Sequence, residues 1–311
     1  MECEDCFHVQ TSIVVEDFRE YKYSTPEAVR PYLEDQAKDL KSRYPEAKIV
    51  LEIGSNNGMN VEILGKHFDS VIGVDPAGEY PVWPLRFDMK TAEVIERRVG
   101  KVDLIVANHV FAHIDDLHEV FDAIDFILTD DGALVFEVGD FLDMAVNGRY
   151  DTIYHEHLDQ HTAEPWGNLL ENHNLYCNDY DDTDYQGGSI RLYCSRKDIG
   201  MLMHDNPTDW WSYKFLIKSN QETLLAKLPE RFCIWGATAK ATTLIHQLGI
   251  ADRIVYCVDN TPAKQGLYLP GTDIKIQQEF GIDWTVLLTA WNFEEEFKRQ
   301  YPDREYLVPY D

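Results

Sequence analysis

From Lys48 onward, short apolar runs alternate with stretches of helical period. Ile49–Ile53 reads as a strand, Asn60–Phe68 as a helix, Ser70–Val74 as a strand and Thr91–Val99 as a helix. Asp103–Ala107 and Ala133–Val138 are further strands, separated by an amphipathic helix over Leu117–Leu128. This alternation predicts a parallel, doubly wound α/β sheet ending near Gly148. Ahead of it lies an apolar-poor lead and a helical stretch, Pro26–Tyr44. Behind it the pattern breaks: Arg149 to about Arg196 is polar, rich in His, Tyr and Asp, and closes on a strand at Ser189–Cys194. A helical linker follows over Asp209–Leu228, and the α/β rhythm then restarts. Cys233–Trp235 is a strand, Ala239–Leu248 a helix, and Ile254–Val258 and Thr285–Leu288 are strands. The expected organisation is an N-terminal extension (1–45), a Rossmann-like domain (46–148), a segment with its linker (149–228), and a smaller C-terminal α/β lobe (229–311).

Composition narrows the partners. The 311 residues carry 28 Lys plus Arg against 55 Asp plus Glu, a net charge of −27. Such a surface repels phosphate backbones, so no nucleic-acid partner is expected, and an anionic substrate needs a local basic pocket. No apolar run approaches the roughly 20 residues that span a bilayer, so no membrane partner is expected either. No basic-then-apolar leader is seen, and the chain reads as cytoplasmic. The six cysteines are scattered and read as free thiols. Cys3 and Cys6 form one C-x-x-C pair, to which His8 can add a ligand, whereas a structural zinc site needs four.

The chemistry begins at Leu51–Gly58, where a strand ending in Glu52-Ile-Gly54 runs through Ser55-Asn56-Asn57 to Gly58 and a helix. Gly54 and Gly58 let the backbone turn tightly and approach a ligand. Asp75 closes the next strand about twenty residues on, where a carboxylate can accept hydrogen bonds from both ribose hydroxyls. A dinucleotide site asks for glycine at the second position of G-x-G-x-x-G to make room for a pyrophosphate, and here that position is Asn56. S-adenosylmethionine has no phosphate and tolerates a polar side chain there, so it is the expected cofactor over a nicotinamide. Asp88 is placed to meet the adenine amino group, the alternatives being Phe87 or neither residue. Asn108, at the end of the fourth strand, is placed to face the transferred methyl. An α/β turn with no ligand is the bland alternative.

Two further clusters follow the carboxyl ends of strands: Asn108-His109-Val-Phe-Ala-His113 and Tyr150-Asp-Thr-Ile-Tyr154-His155-Glu156-His157. Histidines, a glutamate and tyrosines facing a sulfonium point to proton handling. A carbon nucleophile must lose a proton beside a carbonyl, and the enolate must be stabilised; a His suits the first task, a Tyr hydroxyl or second His the other. The alternatives are a metal site from His155, Glu156, His157 and His161, or a polar helix-capping loop. Gly187 and Gly188, before the strand at Ser189, permit close approach of a substrate or form a simple turn. In the C-terminal lobe Gly236-Ala-Thr-Ala-Lys240 can hold a phosphate or be purely structural.

Six stretches carry a resemblance to a known family: LEIGSNNG (51–58), ANHVFAHIDDL (107–117), YDTIYHEHL (150–158), GGSIRLY (187–193), GATAKATTL (236–244) and VDNTPAKQGLYLPGT (258–272). The chain resembles the sugar C-methyltransferases that act on nucleotide-linked 4-keto-deoxysugars, the group that includes the tetronitrose-pathway 3-C-methyltransferase. That resemblance implies a class I S-adenosylmethionine-dependent fold with a zinc-bearing N-terminal piece and a C-terminal α/β domain flanking the substrate. It implies His157 as the base, with Tyr154, Glu156 and His113 placing or polarising the keto-sugar, and Tyr21 and Tyr23 closing over the site. The family carries two C-x-x-C pairs where this chain has only Cys3 and Cys6, and often Ser-Asn-Asp-Gly where this chain has Asn57. Methylation of an oxygen or nitrogen, and a non-catalytic binding protein of the same fold, are the competing readings.

Overall fold

The computed structural model describes residues 2–5, 7–11, 25–79, 81–201, 203, 208–281 and 284–310. Two compact units result: Met1–Asp140 with Leu158–Asn206, and Phe141–His157 with Pro207–Asp311. Among the described residues no helix is long and apolar enough to cross a membrane.

The first unit is a six-stranded sheet of β1 (Ile49–Ile53), β2 (Ser70–Val74), β3 (Val102–Asn108), β4 (Leu128–Gly139), β5 (Tyr176–Thr183) and β6 (Ser189–Ser195), in the order 2-1-3-4-6-5. Strands β1 to β4 run parallel and read as apolar runs because both their faces are covered. Leu51, Ile53, Ile105, Ala107, Leu134 and Phe136 form the middle of the core, joined by Phe111, Phe121 and Trp166. The sheet is mixed, however, and not parallel throughout: β6 runs antiparallel to both β4 and β5. The reversal is a hairpin whose turn ends on Gly187 and Gly188, at φ +90° and +106°, backbone that suits glycine.

Strand order reverses between β1 and β3, so their carboxyl ends open a crevice, the usual ligand position in such sheets. Gly54 follows β1 and Asn108 ends β3, both at that edge.

The second unit has its own five-stranded sheet: β7 (Phe232–Trp235), β8 (Ile254–Val258), β9 (Ile276–Gln277), β10 (Val286–Leu288) and β11 (Tyr306–Leu307), in the order 9-8-7-10-11. All four pairings are parallel. Helix Ala239–Leu248 and the C-terminal part of helix Trp210–Lys227 bury Leu224, Leu244 and Ile245 with Phe232, Ile234 and Leu287. Its order reverses between β7 and β10, which puts the Gly236–Lys240 turn at the corresponding edge.

Candidate active site

The turn after β1 is tightly organised. Gly54 and Gly58 sit at φ +76° and +79°, and Asn56 between them at +47°, a region that asparagine tolerates better than most residues. A Cβ on Gly54 would lie 2.8 Å from Val110, so that position accepts glycine alone. Asp75 fixes the turn from the next strand: its Oδ2 accepts the Asn56 N–H at 2.9 Å and its Oδ1 the Ala77 N–H at 2.8 Å. The Asn56 side chain accepts the Thr25 N–H at 3.0 Å.

Under this turn lies Glu52, buried at the end of β1. Its Oε1 accepts from the Asn60 amide at 2.8 Å, and its Oε2 is buried without a hydrogen bond. Burial pushes its carboxyl up to about 8, against hydrogen bonds from Asn60 and Ser55, with Asp75 adding to the rise. Among the described residues no cation pairs with Glu52 or Asp75. Asp75 is thus the acid at this turn without a cationic partner, while Glu52, raised by burial, keeps its proton near neutral pH.

The other sequence-predicted residues of this unit are placed differently. Asp88 caps helix Met89–Val99, accepting the Thr91 N–H at 2.8 Å. The Asn108 amide exchanges two hydrogen bonds with Gln36, at 2.9 and 3.0 Å. His113 ends a 3-10 turn, its N–H donated to the Val110 carbonyl at 3.0 Å. Tyr21, Tyr23 and Cys6 lie outside the described residues; Cys3 is half-buried.

Glu137 is the residue that the motifs do not single out, although a carboxylate inside the apolar run of β4 is its signal. It is fully buried and accepts from the Tyr32 hydroxyl at 2.5 Å and the Arg191 guanidinium at 2.8 Å, with His109 Nε2 at 3.3 Å. Burial works to raise its carboxyl, but His109, Arg191 and Tyr32 together hold it below the ordinary range. Tyr32 stacks on Tyr185 at 4.1 Å, and its hydroxyl is pushed up by burial and by the Glu137 charge. The result is a charge-assisted network at the carboxyl edge of β3 and β4.

The Tyr154–His157 segment belongs to the second unit. His157 Nδ1 lies 2.8 Å from the Thr152 carbonyl oxygen, which can only accept. Nδ1 therefore carries the proton, and Nε2 is the basic nitrogen of the neutral ring. The Tyr154 hydroxyl, 2.8 Å from Nε2, donates to it. Glu156 is half-buried beside His155, 3.9 Å between their charged atoms. The chain leading to this dyad is anchored: Asp151, fully buried, accepts from the Trp291 indole at 2.7 Å, and the Arg149 carbonyl accepts from the Tyr213 hydroxyl at 2.6 Å. Lys240 lies over the Trp291 ring at 4.7 Å and Arg149 at 5.2 Å. Burial pushes the Lys240 ammonium below the ordinary lysine range, opposed by the Asp151 charge.

Residues 25–179 match the family model of the methyltransferase domain, and residues 216–305 that of the C-methyltransferase C-terminal domain. The C-methyltransferase NovU of Streptomyces niveus is 28% identical over 286 residues, covering 81% of this chain and 68% of that one. The mitochondrial ubiquinone biosynthesis O-methyltransferase of Bos taurus is 30% identical over 99 residues, 27% of each chain. A solved S-adenosylmethionine-dependent methyltransferase from Clostridium acetobutylicum superposes with a TM-score of 0.40 at 14% identity, over 54% of this chain and 92% of that one.

Proposed function

Since this chain belongs to the S-adenosylmethionine-dependent methyltransferases and carries the C-terminal domain of the C-methyltransferases, we propose that it methylates the carbon beside the ketone of a nucleotide-linked keto-deoxysugar. The cofactor supplies a methyl group made electrophilic by its sulfonium. The chain's own residues fit it: Gly54, Asn56 and Gly58 form the turn, Asp75 offers a carboxylate to ribose, and the Oε2 of buried Glu52 is without a hydrogen bond beneath the turn. Asp88 and Asn108 flank this group as further cofactor contacts.

His157 is the general base. The observation that supports this is the Thr152 carbonyl on Nδ1, which makes Nε2, the nitrogen that faces the Tyr154 hydroxyl, the basic one. Nε2 removes the proton on the carbon beside the ketone, and the C–H electron pair moves into the carbonyl to give an enolate. Held by the Gly54–Gly58 turn and Asp75, the cofactor would supply the methyl that the enolate carbon takes, its sulfur leaving as a thioether while the ketone re-forms. Tyr154, hydrogen-bonded to Nε2, and His113 support the developing oxyanion, with Glu156 orienting the sugar. Gly187 and Gly188, Tyr21 and Tyr23 are the remaining substrate contacts in this reading. A nucleotide-linked sugar carries a diphosphate, and in a chain of net charge −27 it needs local cations; Lys240, with Arg149 on the same indole, supplies them.

The test is the position of the new methyl group after incubation with S-adenosylmethionine and nucleotide-linked keto-sugars. Carbon–carbon coupling of an isotopically labelled methyl to the ring carbon is expected. A methyl on oxygen or nitrogen, or no transfer to any keto-sugar, overturns the reading.

A further inference from the structure

We propose that His8, Asp159 and His161 form a site for one divalent transition-metal ion, of which zinc is the best-matched chemical type. The three residues come together through the register of a short antiparallel ribbon. Val9 pairs with Gln160 and Gln10 with Asp159, which makes His8 and His161 the next facing pair. Asp159 and His161 are two apart on one strand and share a face, and His8 stands across from His161 on that same face. The rings of His8 and His161 accordingly stack at 4.1 Å. One ligand atom from each of the three residues lies within 4.8 Å of the others. Tetrahedral binding at about 2.0–2.2 Å per ligand brings donor atoms about 3.4 Å apart, a spacing reached by small side-chain rotations.

The polar atoms at this cluster lack the partners that a purely structural role would give them. His161 is 6% exposed, and neither ring nitrogen makes a hydrogen bond among the described residues. His8 Nε2 lies 2.9 Å from Asp159 Oδ1, yet it is buried and off hydrogen-bonding geometry, so proximity there is not a satisfied bond. Thr11 Oγ1, Gln160 Nε2 and Thr162 Oγ1, on the same ribbon, are also buried without partners. Each such atom is costly to leave unsatisfied, and a bound ion with its water is a direct way to satisfy several at once.

Two imidazoles and one carboxylate select the ion class. Imidazole suits zinc and its transition-metal neighbours, whereas calcium and magnesium take oxygen donors. Three protein ligands leave a fourth position for water. The ion would act on structure nearby: a ribbon of two residue pairs is marginal by itself. It starts next to the Leu158 N–H, which donates to the Ala112 carbonyl at 2.7 Å beside His113. Clamping residues 8–11 onto 159–161 thus orders the chain that directly follows His157 in sequence. Among the described residues no cysteine belongs to this group.

The experiment uses the full chain, stripped with a chelator and titrated with cobalt(II) and then zinc(II). One equivalent of cobalt is expected to give a d–d spectrum without thiolate charge transfer, displaced by zinc, with a raised Tm. The Cys3→Ser/Cys6→Ser double variant should retain this signal. His8→Gln and Asp159→Asn, chosen to keep side-chain volume, should each weaken binding at least about tenfold, with circular dichroism unchanged. No uptake by the wild-type chain, uptake unchanged in both variants, or uptake lost with the cysteines alone overturns the proposal.

Discussion

The two sheets carry similar turns at their carboxyl edges, and they differ in how the acid beside each turn is neutralised. In the first, the acid after the second strand, Asp75, accepts the Asn56 N–H and the Ala77 N–H. In the second, Asp259 accepts the Ala237 N–H at 2.7 Å, one residue nearer the strand than its counterpart, and the Thr261 N–H at 2.8 Å, two residues past the acid as Ala77 is. What differs is the neutralising charge. Lys264 reaches Asp259 at 3.3 Å and the Ala237 carbonyl at 2.9 Å, so the second acid already has its cation. The first acid has none among the described residues, and the buried Glu52 carboxyl beneath it is raised by burial. One acid has its cation within the chain; the other is the one that the proposed function gives to the cofactor.

The largest effect comes from glycine. Gly236 sits at φ +103°, and a Cβ there would lie 2.5 Å from Ala290, as one on Gly54 would crowd Val110. Gly54→Ala and Gly236→Ala should each lower stability by about 2–4 kcal/mol in denaturant melts. Only Gly54→Ala should also abolish cofactor binding in the remaining folded protein. Loss of cofactor binding in both would erase the distinction between the turns.

Charge changes should separate them further. Asp75→Asn should weaken S-adenosylmethionine binding about 10–100-fold by calorimetry, the size expected for hydrogen bonds to an ionised group. Asp259→Asn should leave that affinity within about twofold and show itself in thermal stability instead. Equal losses of affinity would mean that the second turn also serves the cofactor.

The smallest effect is on pH dependence. Glu52 titrates higher when folded, about 8, than its ordinary 4.5, so the folded chain holds a proton that the unfolded chain has lost between those values. Stability without ligand should therefore fall as pH rises through that window, by less than about 1.4 kcal/mol per pH unit. Glu52→Gln should remove that part of the slope. A slope unchanged in the variant would show that Glu52 is not the group responsible.

Much of this comparison is legible in the sequence, for a physical reason. Parallel strands covered on both faces must be apolar, so β1, β2, β3, β7 and β8 stand out, and turns at their ends need glycine and an acid. Edge strand β5 hides because Asp179 and Asp182 are exposed, Asp181 is half-buried and only Cys177 is buried. Helix Ala163–Asn172 hides behind Pro165 and Gly167, although Trp166, Leu169 and Leu170 bury its inner face. β4 begins at Leu128, earlier than its apolar run, because polar Thr129–Asp131 continue the strand. At the site, residue type identifies Tyr154 and His157 as candidates. It cannot show that a backbone carbonyl at Thr152 sets the tautomer, nor that Asp151 meets Trp291 across 140 positions of sequence. Backbone acceptors and long-range pairs leave no local pattern.

The proposed carbon acid is tested most directly by solvent exchange. Nucleotide-linked keto-sugar incubated in deuterium oxide with the enzyme should take up deuterium at the carbon beside the ketone, followed by NMR. His157→Ala should slow that exchange and the methylation together, by about 10²–10⁴-fold, with cofactor affinity within about twofold of wild type. Exchange and methylation that persist at the wild-type rate in His157→Ala would contradict the account.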